Sequence, residues 1–390
     1  MDRNSIIGYL LIFAIFAGYI FYTNKNLEEA REIQRVEDSI ASENSNLDSL
    51  SKLVETLEAS KKEDIASIQD TINTVDTDSV AAVIPEVPEK TFTLENEELG
   101  MNFSSKGGRI SDVWLKNYKT YDSAQLMLAK RAGSSFNYTI PLTTGVIRTQ
   151  ELDFSIKQSD ESSLILEHEL QTGGILRHVY TLGDGYLVDY QFELDGLKDQ
   201  IARRHNEYTL DWIIEGPIQE KSLSDERINT SVFYKYKNSK GIEDLGTGEE
   251  GEEQLMNGIQ WISFKQKFFS STIIFPDGLE ESGTEISMHQ PARDEYVKQM
   301  AASIGVAYHF QDNDIQRMQF YFGPNHYQTL RKMDMGMEKV VPIGSSIIRA
   351  VNKYAIIPIF NWLDNYFVSY GLIILILTFI IKGVLIFPMY

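Results

Sequence analysis

The sequence predicts a membrane protein of mixed class, with two transmembrane α-helices flanking a large antiparallel β-sandwich or barrel and an amphipathic helix before the second span. Three observations carry this. Apolar runs stand at both ends of the 390-residue chain. Between residues 91 and 325, aromatic and β-branched residues alternate with polar ones over short stretches separated by turn residues. From Ser345 the apolar residues adopt helical spacing.

The first run, residues 5–22, reads SIIGYLLIFAIFAGYIFY and carries no charge. At about 1.5 Å per residue it just spans a hydrocarbon core of about 30 Å. Tyr19, Phe21 and Tyr22 lie at its far end, where aromatic rings favour the interface. A cleaved secretory signal is the alternative. The run is long for a signal core and lacks a small-x-small cleavage site, so an uncleaved anchor is expected.

Residues 23–90 form an acidic spacer without glycine or aromatic residues from Thr23 to Thr91. Ile33, Val36, Ile40, Leu47, Leu50, Val54 and Leu57 fit a heptad pattern with Glu43 as a polar break. A coiled-coil spacer and a solvated linker are both consistent with this composition. Pro85 and Pro88 mark its end.

Residues 91–325 carry the strand signal. Leu164–His168, Val188–Leu194 and Arg317–Phe322 alternate or run apolar. Gly107-Gly108, Gly173-Gly174, Gly183-Asp184-Gly185 and Pro276-Asp277-Gly278 supply turns. Many short strands with tight turns indicate antiparallel sheets. The acidic stretch Glu243 to Glu253 reads as a solvated loop, with a cation site as the sharper alternative.

Residues 326–365 switch to helical character after Gly323-Pro324. Ile347, Ile348, Val351, Tyr354 and Ala355 form an apolar face against Arg349, Asn352 and Lys353, and Trp362, Tyr366 and Phe367 follow. This predicts an amphipathic helix lying at a lipid surface. The second run, residues 366–390, is rich in Leu and Ile from Gly371 to Ile381, interrupted by Lys382. A soluble amphipathic helix would show a polar face there, so a second span is expected.

The formal charge of −20 excludes a nucleic-acid partner of the usual phosphate-binding kind, which needs clustered Lys and Arg. The chain has no cysteine, and none of its six histidines forms an HExxH pair. No GxSxG elbow or Gly-rich phosphate loop occurs. No cofactor, metal or catalytic residue is expected, and the protein reads as a non-enzyme.

With this layout in place, four strings become informative. Trp261-Ile-Ser-Phe-Lys265-Gln-Lys-Phe268-Phe269-Ser270 fits a W-x-x-x-K-x-x-F-F-S pattern. Tyr321-Phe-Gly323-Pro324 fits Y-x-G-P, and the apolar sequence after Asn365-Tyr366-Phe367 carries Thr378-Phe-Ile-Ile-Lys382-Gly383 and then Phe387-Pro388. In this order along the chain they resemble the YidC/Oxa/Alb family of membrane protein insertases. The resemblance implies a multi-pass protein of the bacterial inner membrane with a cytoplasmic N-terminus. Residues 91–325 would be a periplasmic β-supersandwich, and nascent membrane proteins, the Sec translocon and the lipid bilayer would be partners. The family continues with further spans, so the chain is expected to be an N-terminal portion. The family usually has Arg where this chain has Lys382.

A charge within a span costs about 2.5–3.5 kcal/mol on insertion scales, so it usually faces protein or water. Snorkelling to the interface is the plain explanation of Lys382. The resemblance implies instead that Lys382 lines a hydrophilic groove that attracts polar segments of incoming proteins. A tethered carbohydrate-binding or mutarotase-like module is the runner-up, suggested by the fold the family's exported domain shares with such proteins.

Overall fold

The computed structural model describes residues 89–390, apart from 202–205, 257, 281–282, 345, 368 and 387–390. The expected first span, 5–22, and the spacer but for its last two residues lie outside the described residues.

Alternation of apolar and polar side chains builds three antiparallel sheets. The first holds β1 (Thr91–Glu95), β2 (Leu99–Ser104), β3 (Ile110–Lys119) and β4 (Gln125–Ala129) in sequence order. The second has six strands: β5 (Ser134–Leu142), β6 (Gly145–Arg148), β11 (Glu207–Pro217), β14 (Gly251–Leu255), β17 (Thr284–His289) and β18 (Tyr296–Ala307), ordered β14-β17-β18-β11-β5-β6. The third has nine: β7 (Ser155–Ser159), β8 (Ser163–Glu169), β9 (Ile175–Leu182), β10 (Leu187–Asp195), β12 (Ser231–Tyr236), β13 (Glu243–Asp244), β15 (Ile259–Lys265), β16 (Phe269–Ile274) and β19 (Asn313–Pro324). Its order is β13-β12-β15-β16-β19-β10-β9-β8-β7.

The two larger sheets pack face to face. On β10, Val188, Tyr190, Phe192 and Leu194 are buried while Asp189, Gln191 and Glu193 point the other way; on β11, Tyr208, Leu210, Trp212 and Ile214 are buried. Rings cross the interface: Tyr138 stacks on Phe192 at 3.8 Å and Trp212 on Phe264 at 4.1 Å. Within this core His178 Nδ1 meets the Tyr190 hydroxyl at 2.9 Å, and that hydroxyl donates to the Tyr138 oxygen at 3.1 Å. Burial drives the His178 imidazole down to about 3, which keeps it neutral. Gly108 makes this packing possible. It turns with φ +65°, and a Cβ there would stand 2.7 Å from the His178 ring.

One expectation changes. The acidic stretch Glu243–Glu253 contributes two short strands rather than a continuous loop. β13 pairs with β12 and β14 with β17, each at the outer edge of its sheet. An edge strand is solvated on more than one side, so a charged sequence can occupy it. Among the described residues, no group of three or more histidine or acidic side chains could hold a metal ion.

Beyond the sheets come α1 (Leu223–Ile228), α2 (Tyr327–Lys332), a 3₁₀ turn Met337–Val340, α3 (Ser346–Val351), a π turn Asn352–Ile356, α4 (Ile357–Asp364) and α5 (Tyr370–Ile386). The π turn precedes Pro358, which has no N–H and whose ring crowds the carbonyl four residues back; the wider turn absorbs this. Ile348, Val351 and Tyr354 are exposed along α3 and the π turn. On the polar side Arg349 Nε donates to the Gly344 carbonyl at 2.9 Å and Asn352 Nδ2 to the Ile343 carbonyl at 3.0 Å. Among the described residues no helix is long and apolar enough to cross a membrane. α5 has 17 residues, about 25 Å at 1.5 Å per residue.

Candidate functional site

Two of the strings singled out above meet in space. β15, β16 and β19 are neighbours, so the hairpin carrying Trp261 to Ser271 lies beside the strand ending in Tyr321–Pro324. Trp261 is fully buried with Ile274, Tyr321, Leu330, Met337 and Val340, and its indole N–H donates to the Met335 carbonyl at 3.1 Å. The Tyr321 hydroxyl donates to the Pro324 carbonyl at 2.7 Å. A Cβ on Gly323 would come 2.8 Å from the rings of Tyr186 and Tyr321, so glycine is required there. Asn325 closes the corner: its amide N–H donates to the Phe268 carbonyl at 2.7 Å, and its Nδ2 to the Gln266 carbonyl at 3.0 Å.

The polar members of the hairpin are also structural. Lys265 is buried and its Nζ donates to the Asn229 carbonyl at 2.9 Å, just past α1. Lys298 on β18 donates to the next carbonyl, Thr230, at 2.9 Å and to Gly248 at 2.6 Å. Burial pulls both amines down to about 8. Glu226 accepts the Gln219 N–H at 3.2 Å, and burial pushes its carboxyl up to about 7. Gln266 joins them, donating to the Pro217 carbonyl at 2.8 Å and accepting from Gln219 Nε2 at 2.9 Å. This network holds α1 and the end of the sandwich together. It presents no free nucleophile or acid–base pair to solvent.

Lys382, the one site residue expected from the sequence, lies on α5. Its side chain is exposed and has no ion-pair partner among the described residues. It is the one charged residue in the 17 of this helix. Thr378, one turn earlier, shares its face, because residues four apart on a helix are neighbours. The Thr378 hydroxyl donates to the Ile374 carbonyl at 2.7 Å. In the sequence Thr378 stands only as part of the family string; its i, i+4 spacing from Lys382 is the signal that the two share a face. Among the described residues, two surface grooves of about 380 and 350 Å³ have Phe275 and Tyr138, respectively, as their Phe or Tyr lining residues, and both are buried. Neither offers the exposed ring on which a sugar would stack.

Comparison with known proteins follows this geometry. The family model described as the YidC periplasmic domain matches residues 91–351. Curated relatives named membrane protein insertase YidC align along the whole chain, with 31% identity in Parabacteroides distasonis and 27% in Bacteroides fragilis. The chain spans 63% and 62% of their lengths, respectively. Solved structures give distant likenesses in fold. The periplasmic domain of Thermotoga maritima YidC is 8% identical over 66% of this chain and 96% of its own, with a TM-score of 0.34. A galactose mutarotase related enzyme from Lactobacillus acidophilus is 7% identical over 60% of this chain and 97% of its own, with a TM-score of 0.41. Neither likeness carries a conclusion about activity. The family match across the sheets and on into α3 does establish kinship: the chain belongs to the YidC family and carries its periplasmic domain.

Proposed function

We propose that the chain is the front section of a membrane protein insertase of the bacterial inner membrane. The observation that carries this is the alignment of the whole chain with relatives bearing that name. In this reading residues 5–22 form the first span with a cytoplasmic N-terminus, and 23–90 form the spacer. Residues 91–325 are the periplasmic domain, 326–365 the interfacial linker, and 366–390 the second span. Nascent membrane proteins are the clients, and the Sec translocon is a working partner.

Lys382 and Thr378 give the second span one polar stripe on an otherwise apolar helix. An unpaired ammonium in such a helix costs about 2.5–3.5 kcal/mol unless water reaches it. A water-filled groove open to the cytoplasm removes that cost. It also shortens the apolar path that a polar client segment must cross, and the positive charge draws in acidic segments. The work is done by solvation and charge, without bond making.

The test is replacement of Lys382 in the intact gene, in cells depleted of their own insertase. Lys382→Gln lowers insertion of a client with an acidic translocated tail severalfold by protease accessibility, while Lys382→Arg retains it. Unchanged insertion by Lys382→Gln leaves only the snorkelling role and removes the groove. The carbohydrate module is not favoured, because the mutarotase likeness is one of fold alone.

A further inference from the structure

Lys235 on β12 is 9% exposed, and its Nζ donates to Gln260 Oε1 at 3.1 Å. Lys339 reaches it from the 3₁₀ turn. The position a Gly336 Cβ would take lies 3.7 Å from both Lys235 Cε and Lys339 Nζ, so the two side chains face each other across that glycine. Lys339 Nζ also donates to the Lys240 backbone carbonyl. Burial, then the charge of Lys339, pulls the Lys235 amine down, as expected for like charges held together. Asp334 and Glu338 flank the turn in sequence, yet neither lysine has an ion-pair partner among the described residues. In a chain of net charge −20, two lysine side chains turned toward one glycine without a carboxylate partner make a locally positive point. Six residues separate Lys339 from α3, a reach of at most about 25 Å over the seven steps. The exposed Ile348, Val351 and Tyr354 begin there.

We propose that Lys235 and Lys339 bind a phosphate group, supplied by the headgroup of an anionic phospholipid. The source rests on the membrane reading above: with the apolar face of α3 on the bilayer, the turn stands within reach of its headgroups. Two ammonium groups match a phosphodiester that carries one charge and two free oxygens.

The test uses the full chain in nanodiscs of mixed phosphatidylcholine and phosphatidylglycerol, with native mass spectrometry counting the lipids retained on release. Phosphatidylglycerol is retained over phosphatidylcholine. Lys339→Gln, at an exposed position, lowers that preference about fivefold, and adding Lys235→Gln lowers it by a similar factor again. Lys198→Gln, at an exposed lysine paired with Asp312, leaves it intact. Circular dichroism checks that each variant is folded. Equal retention of the two lipids, or an undiminished preference in Lys339→Gln, overturns the site. Inorganic phosphate that displaces phosphatidylglycerol supports recognition of the phosphate itself. Inorganic phosphate bound in detergent with no preference for phosphatidylglycerol overturns the lipid source. A chain that does not enter phosphatidylcholine discs at all refutes the membrane reading along with the site; one that enters and shows no headgroup preference refutes the site alone.

Discussion

Lys265 and Lys382 are both cations in apolar company, and the molecule treats them differently. Lys265 is sealed into the sandwich, where the carbonyl of Asn229 accepts a hydrogen bond from its ammonium. Lys298 repeats the arrangement one residue along, at Thr230. Lys382 stands exposed on α5 with no such acceptor among the described residues. A buried ammonium with fitted carbonyls is a fastener: its desolvation cost is offset by local hydrogen bonds, and its removal orphans the acceptor. An ammonium without fitted acceptors remains free to meet something from outside.

The contrast can be broken by measuring stability and function separately. The largest expected effect is at Trp261, which anchors the hairpin side of the comparison. Trp261→Ala should cost about 3–5 kcal/mol in denaturant unfolding of the full chain, through the cavity and the lost bond to Met335. A cost below about 1 kcal/mol would mean that the linker is held elsewhere. Lys265→Ala comes next, at about 1–3 kcal/mol, because the Asn229 carbonyl loses its donor.

Glu226 sharpens the comparison through pH. Its carboxyl titrates higher in the folded chain, near 7, than in the unfolded chain, near 4.5. Between those values the folded state holds more protons, so its contribution falls as pH rises, by about 1.4 kcal/mol per pH unit at most. Glu226→Gln keeps an acceptor for the Gln219 N–H and abolishes the titration. The difference between variant and parent stability should therefore climb from pH 4.5 to 7 and level off above; a flat difference would place the carboxyl in water. Lys382→Gln is the smallest stability effect, within about 0.5 kcal/mol in detergent, since no folded contact is lost. A larger loss would move Lys382 into the same class as Lys265.

The sequence made the sheets legible because a half-buried strand repeats every two residues. Leu187–Asp195 and Asn313–Pro324 are strands at the places where alternation and apolar runs put them. Gly108 and Gly278, both at positive φ, stand in turns marked by their dipeptides. The acidic edge strands escaped notice, because solvent on both sides erases the alternation. The partners of Lys265 and Lys298 were illegible for a different reason. Backbone carbonyls are present at every position, and only tertiary packing selects Asn229 and Thr230 among them. In the candidate site Lys382 was legible as a lone charge in an apolar run, whereas Lys235 and Lys339 lie 104 residues apart and meet only because the 3₁₀ turn folds over β12.

Gly323 has no space for a side chain, and Tyr321 ties down the carbonyl of Pro324. The polypeptide thus leaves the last strand on a single heading, with Asn325 pinned to the neighbouring hairpin. A tug on α3 to α5 is transmitted to that hairpin and does not dissipate in a slack tether. The sandwich and its exit should respond to mechanical load as one rigid handle, and the first rupture should fall at the Asn325 corner.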